Sequence, residues 1–232
     1  MAAKISRKQL LNEPDEFLSF SRRLFNFMIE QKVYVVSGLG VIFSVVIIFS
    51  GVRYFSEKAE ISAFEQMEKS ITRYKDLSPG TGAEKAYQDV RGDFETILDK
   101  YSQKYGGRLA RIAYAHMAYM AGDFNRSAEL YEQALREIEA YPSLKNIIIS
   151  GLGYACEGKK DYPSAVKYFD MIASGSEPVL KAEAMFNLGR LYAEMGNADQ
   201  SRAAFEKLIT EYPDSLYKDI AQEKAARGKA SS

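Results

Sequence analysis

Two side chains in this sequence have the reactivity that catalysts draw on, His116 and Cys156, the only histidine and the only cysteine in 232 residues. A thiol nucleophile needs a neighbouring base, and a catalytic or structural metal needs three or four convergent ligands. The two residues lie forty positions apart on different helical segments, and no metal-ligand spacing surrounds either. There is no glycine-rich phosphate loop and no Ser/His/Asp set. A single cysteine forms no internal disulfide. With 31 basic and 31 acidic residues there is no cationic surplus to neutralise phosphates, which argues against nucleic acid as a partner. The expectation is a non-catalytic protein with no cofactor and no metal, one that works by binding.

The elements that would position a binding surface begin with VYVVSGLGVIFSVVIIFSGV, residues 33 to 52, which carries no charge. As a helix it would span ~30 Å, the thickness of a bilayer hydrocarbon core. A soluble core helix of that length has a polar face, and this one offers only Ser37, Ser44 and Ser50. A cleaved export signal is disfavoured by the 32-residue leader, the length of the apolar core and the lack of a small-x-small site after it. Tyr34 at one end and Tyr54 with Phe55 at the other suit the two interfaces. The stretch reads as one uncleaved transmembrane helix. Gly40 and Ser44 form a small-xxx-small pair of the kind that mediates helix dimerisation.

In the leader, residues 1–32, Asn12 is placed to cap a helix with Pro14, Asp15 and Glu16 in its first turn. Phe17, Phe20, Leu24, Phe27 and Met28 then fall on one face, away from Arg22 and Arg23. Such a face beside a span belongs in the lipid headgroup layer, with a docking site for a cytosolic partner as the alternative. The leader carries six basic against four acidic residues and the rest of the chain 25 against 27. That bias favours a cytosolic N-terminus and a C-terminal domain across the membrane, although Arg53, Lys58 and Lys69 nearly balance Arg22, Arg23 and Lys32 close to the span.

From Arg53 to Leu77 there is neither proline nor glycine, and Phe55, Ala59, Phe64, Met67, Ile71 and Tyr74 recur at helical spacing. The spacing predicts a helical stalk over 53–77, ended by the turn SPGTG at 78–82. Beyond it the sequence repeats. Segments starting at Tyr114, Leu152 and Leu188 align with Ala115, Gly153 and Gly189 in one small position, and Ser127, Ala165 and Ser201 in a second. Tyr131, Phe169 and Phe205 take the large position, followed by Ala134, Ile172 and Leu208. Val90, Phe94 and Ile97 show the same pattern 37 residues before Ser127, Tyr131 and Ala134, with the stalk supplying the missing first helix. Residues 214–232 read as a polar capping helix and tail.

This small/large pattern resembles the tetratricopeptide repeat, a helix–turn–helix unit of about 34 residues. The third repeat carries it best, with Tyr192, the turn Gly196 and the closing Pro213. In the second, Cys156 stands in for Tyr192, as a buried packing thiol, and Lys160 replaces the turn glycine. The resemblance implies an all-α fold: a transmembrane helix, then a solenoid of three to four helix pairs over 83–213. It also implies a concave groove lined by the first helix of each pair: Ile112, His116 and Tyr119, then Ser150, Tyr154 and Glu157, then Phe186, Arg190 and Ala193. Aromatic residues with one Arg and one Glu suit extended polypeptide; the competing role for the same residues is packing between repeats. The Lys and Asn of the chaperone-tail clamp are missing from these positions.

The layout is similar to that of the bacterial single-span tetratricopeptide proteins that include the ancillary subunit of the Sec translocon. That resemblance implies an inner-membrane scaffold or chaperone-like adaptor with a periplasmic repeat domain. Its partners would be translocon subunits, periplasmic chaperones or exported chains. Two further readings stand beside it: a structural organiser of an envelope complex in division, cytochrome maturation or outer-membrane assembly, and a self-assembling homo-oligomer.

Overall fold

The computed structural model describes residues 16–137 and 142–230. Asn12, Pro14 and Asp15, expected to open the leader helix, lie outside the described residues. The described chain is helical throughout, with no strand, and divides between Glu57 and Lys58 into two units.

The first unit holds α1 (Glu16–Glu30) and the start of α2 (Lys32–Thr81). Among the described residues α2 is the one helix long and apolar enough to cross a membrane, and none of its apolar stretch is buried in the protein. Here the Ser44 hydroxyl donates to the Gly40 carbonyl of its own helix at 2.9 Å. Arg53 pairs with Glu57 one turn on, at 2.8 Å.

In the second unit α2 runs past the expected end at Leu77 to Thr81. Pro79 falls in the last turn, where its missing N–H removes a single ladder bond. The Thr81 hydroxyl donates to the Leu77 carbonyl at 3.0 Å. The break comes at Gly82, whose φ of 86° suits glycine. Three helices then pair with three partners: α4 (Tyr105–Met120) with α5 (Phe124–Glu137), α6 (Pro142–Gly158) with α7 (Tyr162–Ser174), and α8 (Lys181–Glu194) with α9 (Ala198–Glu211). Before them α3 (Ala83–Tyr101) packs on α4, and after them α10 (Lys218–Ala230) packs on α9. Val90, Phe94 and Ile97 of α3 are fully buried, and Met67, Ile71 and Tyr74 of α2 pack against the same cluster. These α2 side chains thus join the core that α3 and α4 build. The Glu60 carboxylate of α2 accepts the N–H groups of Tyr105 (3.1 Å) and Gly106 (2.6 Å), two of the donors that the start of α4 leaves unpaired.

Small and large positions mesh as the alignment requires. A Cβ on Gly153 would stand 2.7 Å from the Phe169 ring, and one on Gly189 2.6 Å from Phe205. Ala115 already carries that methyl group, and the Tyr131 ring reaches onward to close over Gly151 of the next pair. The Ser201 hydroxyl donates to the Gly189 carbonyl at 2.7 Å. Ser127, its counterpart, is buried with no partner for its hydroxyl among the described residues.

The three turns also superpose in register. The N–H groups of Asp123, Asp161 and Asn197 reach back to the carbonyls of Ala118, Cys156 and Tyr192, at 2.9, 2.9 and 2.8 Å. This closure needs a left-handed residue just before each donor. Gly122 (φ 81°) and Gly196 (φ 77°) supply it freely, and Lys160 is held there at φ 60°. For a residue with a Cβ that conformation costs about 1–2 kcal/mol. Lys160→Gly is accordingly expected to stabilise the protein by about 1 kcal/mol. A higher urea midpoint at unchanged slope would show it, and an unchanged or lower midpoint would refute the assignment.

Candidate functional site

The expected groove residues belong to α4, α6 and α8, and the structure joins six of them into one ladder. Tyr154 on α6 is its centre. Its hydroxyl donates to Glu183 Oε1 at 2.9 Å and accepts from Asn187 Nδ2 at 2.9 Å, both on α8. Asn187 Oδ1 accepts from Arg190 Nη2 at 2.9 Å. Arg190 in turn grips Glu157 of α6 with two parallel bonds of 2.6 and 2.8 Å. The Ser150 hydroxyl donates to the same Glu183 Oε1 at 3.3 Å. On the far side the Tyr217 hydroxyl, just before α10, donates to Glu183 Oε2 at 3.4 Å.

Aromatic contacts run in parallel. The rings of Tyr119 and Tyr154 have centroids 6.1 Å apart, and Tyr154 stands edge-on to Phe169 at 5.2 Å. Phe186 stacks on Tyr217 at 5.0 Å and leans on Phe205 at 5.9 Å. Ser150 is buried, while Tyr119, Tyr154, Glu157, Phe186 and Arg190 each keep one partly exposed edge. Ile112 packs beside the core of α3 to α6. His116 and Ala193 are exposed. The structure therefore gathers Tyr119, Ser150, Tyr154, Glu157, Phe186 and Arg190, and leaves Ile112, His116 and Ala193 outside the ladder.

Three members of the ladder were not read from the sequence: Glu183, Asn187 and Tyr217. Glu183 and Asn187 stand 33 residues after Ser150 and Tyr154, about one helical turn short of the step from Leu152 to Leu188, and four residues apart on α8. A search for polar pairs one turn short of a repeat apart would have found them.

The electrostatics fit a set of fixed donors. Burial above all, with the Glu183 carboxylate adding to it, pushes the Tyr154 phenol well above the ordinary range and keeps it protonated. The Glu157 hydrogen bond raises Arg190 further, so its charge is permanent. Cys156 is buried and its thiol is pushed up by that burial, which disfavours the thiolate a nucleophile requires. Among the described residues no group of three or more His, Cys, Asp or Glu side chains is placed to hold a metal.

The comparisons with known proteins agree with this geometry. The tetratricopeptide repeat family model matches residues 183–215, which take in nearly all of α8, the whole of α9 and part of the link to α10. Similar solved structures include the nearly identical TPR-like repeats of a Podosopora anserina chain assigned as a kinesin light chain. That chain is 14% identical, with 71% of this chain and 83% of that one covered and a TM-score of 0.54. A single-residue variant of the same chain gives 0.55 at the same identity and coverage. No curated protein matches the sequence. The fold is that of a tetratricopeptide-like helical solenoid.

The Glu157–Arg190 pair is half-buried and bidentate, a geometry in which an ion pair does contribute. A double-mutant cycle with Glu157→Gln and Arg190→Met should return a coupling of about 1 kcal/mol in chemical unfolding. A coupling indistinguishable from zero would mean that the pair adds nothing to the seam.

Proposed function

We propose that the chain is a membrane-anchored scaffold that binds protein or peptide partners along the first-helix face of its repeats. In this reading α2 anchors it in a bacterial inner membrane with the N-terminus cytoplasmic and the repeats periplasmic. The partners are translocon subunits, periplasmic chaperones or exported chains. One observation carries the reading: a single helix, α2, contains both an unburied apolar stretch of membrane-spanning length and residues that pack into the core of the helical solenoid. The ladder supports it further. It fixes aromatic and charged side chains in place without consuming their outer edges, so a partner meets a surface that needs little ordering.

One feature favours the second reading, a fixed complex with a folded envelope protein. On another face, α7, α8 and α9 border an open pocket of 280 Å³ whose lining includes Ala173, Met185, Leu188, Tyr192, Ala204 and Lys207. A rigid partner could seat a side chain there.

Photo-crosslinking in intact cells separates the two. Probes at His116 and Ala193, exposed on first helices, are paired with a probe at Lys167, exposed on α7. The scaffold reading predicts crosslinks from His116 and Ala193 to channel subunits, exported chains or soluble chaperones, and none from Lys167. One discrete adduct from Lys167 alone would favour the fixed complex and contradict the groove.

A further inference from the structure

Helix α1 stands apart from α2 by one residue, Gln31, and none of the solenoid's chemistry accounts for it. Its backbone ladder reaches the junction from both sides: Gln31 N–H donates to the Phe27 carbonyl at 2.9 Å, and Val35 N–H to the Gln31 carbonyl at 3.0 Å. Six large apolar side chains in this one helix are exposed, from Met28 at 45% to Phe20 at 64%. At about 100° of rotation per residue, Phe27, Phe20, Leu24, Met28, Phe25 and Ile29 form an arc about 200° wide. Ser21 is the only polar residue inside it. Arg22, Asn26, Glu30 and Arg23 fill the opposite side.

Two features of this arc select its partner. The first is width. A helix docking onto another helix buries a stripe of roughly 100°, and a groove in a protein takes little more. An arc of about twice that matches a medium that surrounds more than half of the helix, as acyl chains do. The second is the placement of the two arginines. Arg22 falls beside Ile29 at one edge of the arc and Arg23 beside Phe27 at the other. Their alkyl stems can lie along the apolar boundary while the guanidinium groups reach outward on both sides, at the level where a leaflet presents phosphates.

We propose that α1 lies along the leaflet from which α2 departs, with its apolar arc in the acyl chains and Arg22 and Arg23 on lipid phosphate oxygens. This rests on the reading of α2 as a membrane span. It requires the chain to bend at Gln31, the one residue outside both helices, and so to open part of the i→i−4 ladder that runs through it. The competing arrangement is a helix that continues α2 straight out of the leaflet.

The test uses the whole chain, which contains no tryptophan. Single reporters are introduced as Phe20→Trp, Leu24→Trp, Phe25→Trp and Asn26→Trp, with Ile47→Trp as a control inside the span. Each variant is reconstituted in vesicles of phosphatidylcholine and phosphatidylglycerol with brominated acyl chains. The expected result is equal quenching at positions 20, 24 and 25, several-fold stronger than at 26. Adding Arg22→Gln and Arg23→Gln to Phe20→Trp should reduce the quenching and abolish its dependence on phosphatidylglycerol. Quenching that decays from Leu24→Trp to Phe20→Trp would show a straight helix leaving the membrane and overturn the proposal. So would unquenched, blue-shifted emission that depends on protein density, the mark of a second copy covering the arc. If Ile47→Trp is quenched and the α1 reporters are not, this inference alone falls. If Ile47→Trp is also unquenched, the span reading falls with it.

Discussion

One carboxylate holds the last two repeats and their cap in register. Glu183, in the first turn of α8, takes hydroxyl donors from Ser150 and Tyr154 of α6 on one oxygen and from Tyr217, at the entry to α10, on the other. A partly buried carboxylate with hydroxyl donors on both oxygens is a strong constraint, because losing it would strand several polar groups away from water at once. Beneath it one apolar cluster also runs from α6 to α10. Small-to-large packing of Gly153 under Phe169 and Gly189 under Phe205 sets how each hairpin closes, and the polar ladder adds directional bonds to the apolar contacts by which one hairpin follows the next.

The same ladder shapes what the surface can do. Tyr154, Glu157 and Arg190 satisfy one another across the repeat boundary, and Phe186 is spent partly on Tyr217. In the proposed scaffold, a partner would meet their edges and the exposed residues around them, including His116 and Ala193. Packing and recognition are not alternatives for such side chains. The first makes the second cheaper, since rotamers already fixed by the fold lose little entropy on binding.

Much of this was legible in the sequence because helix pairing leaves a local, periodic trace. The small positions at Ala115, Gly153 and Gly189 and the rings 16 residues later are fixed by contact within one hairpin, so they repeat at constant spacing. The same register placed Lys160 at a turn that its neighbours fill with glycine, and the backbone there is left-handed as in theirs. What stayed hidden was contact between hairpins. Glu183, Asn187 and Tyr217 are ordinary residues on ordinary helices until a partner about one repeat away is brought beside them. The end of α2 was misplaced for a different reason: a proline in a last turn costs little, and Gly82 rather than Pro79 makes the break. The apolar arc of α1 was also wider than its first-read face, because Phe25 and Ile29 extend it around the helix.

The account stands or falls on whether Glu183 couples elements that are distant in sequence. Native-state hydrogen exchange on the intact chain and on Glu183→Ala measures that directly. If the carboxylate joins α6, α8 and α10, protection should fall in all three together, by about tenfold or more, which corresponds to the ~1.4 kcal/mol or more expected for losing bonds to a charged acceptor. Protection in α3 and α4 should be unchanged. A loss confined to α8, or no loss, would show that apolar packing alone orders the repeats and that the ladder is incidental.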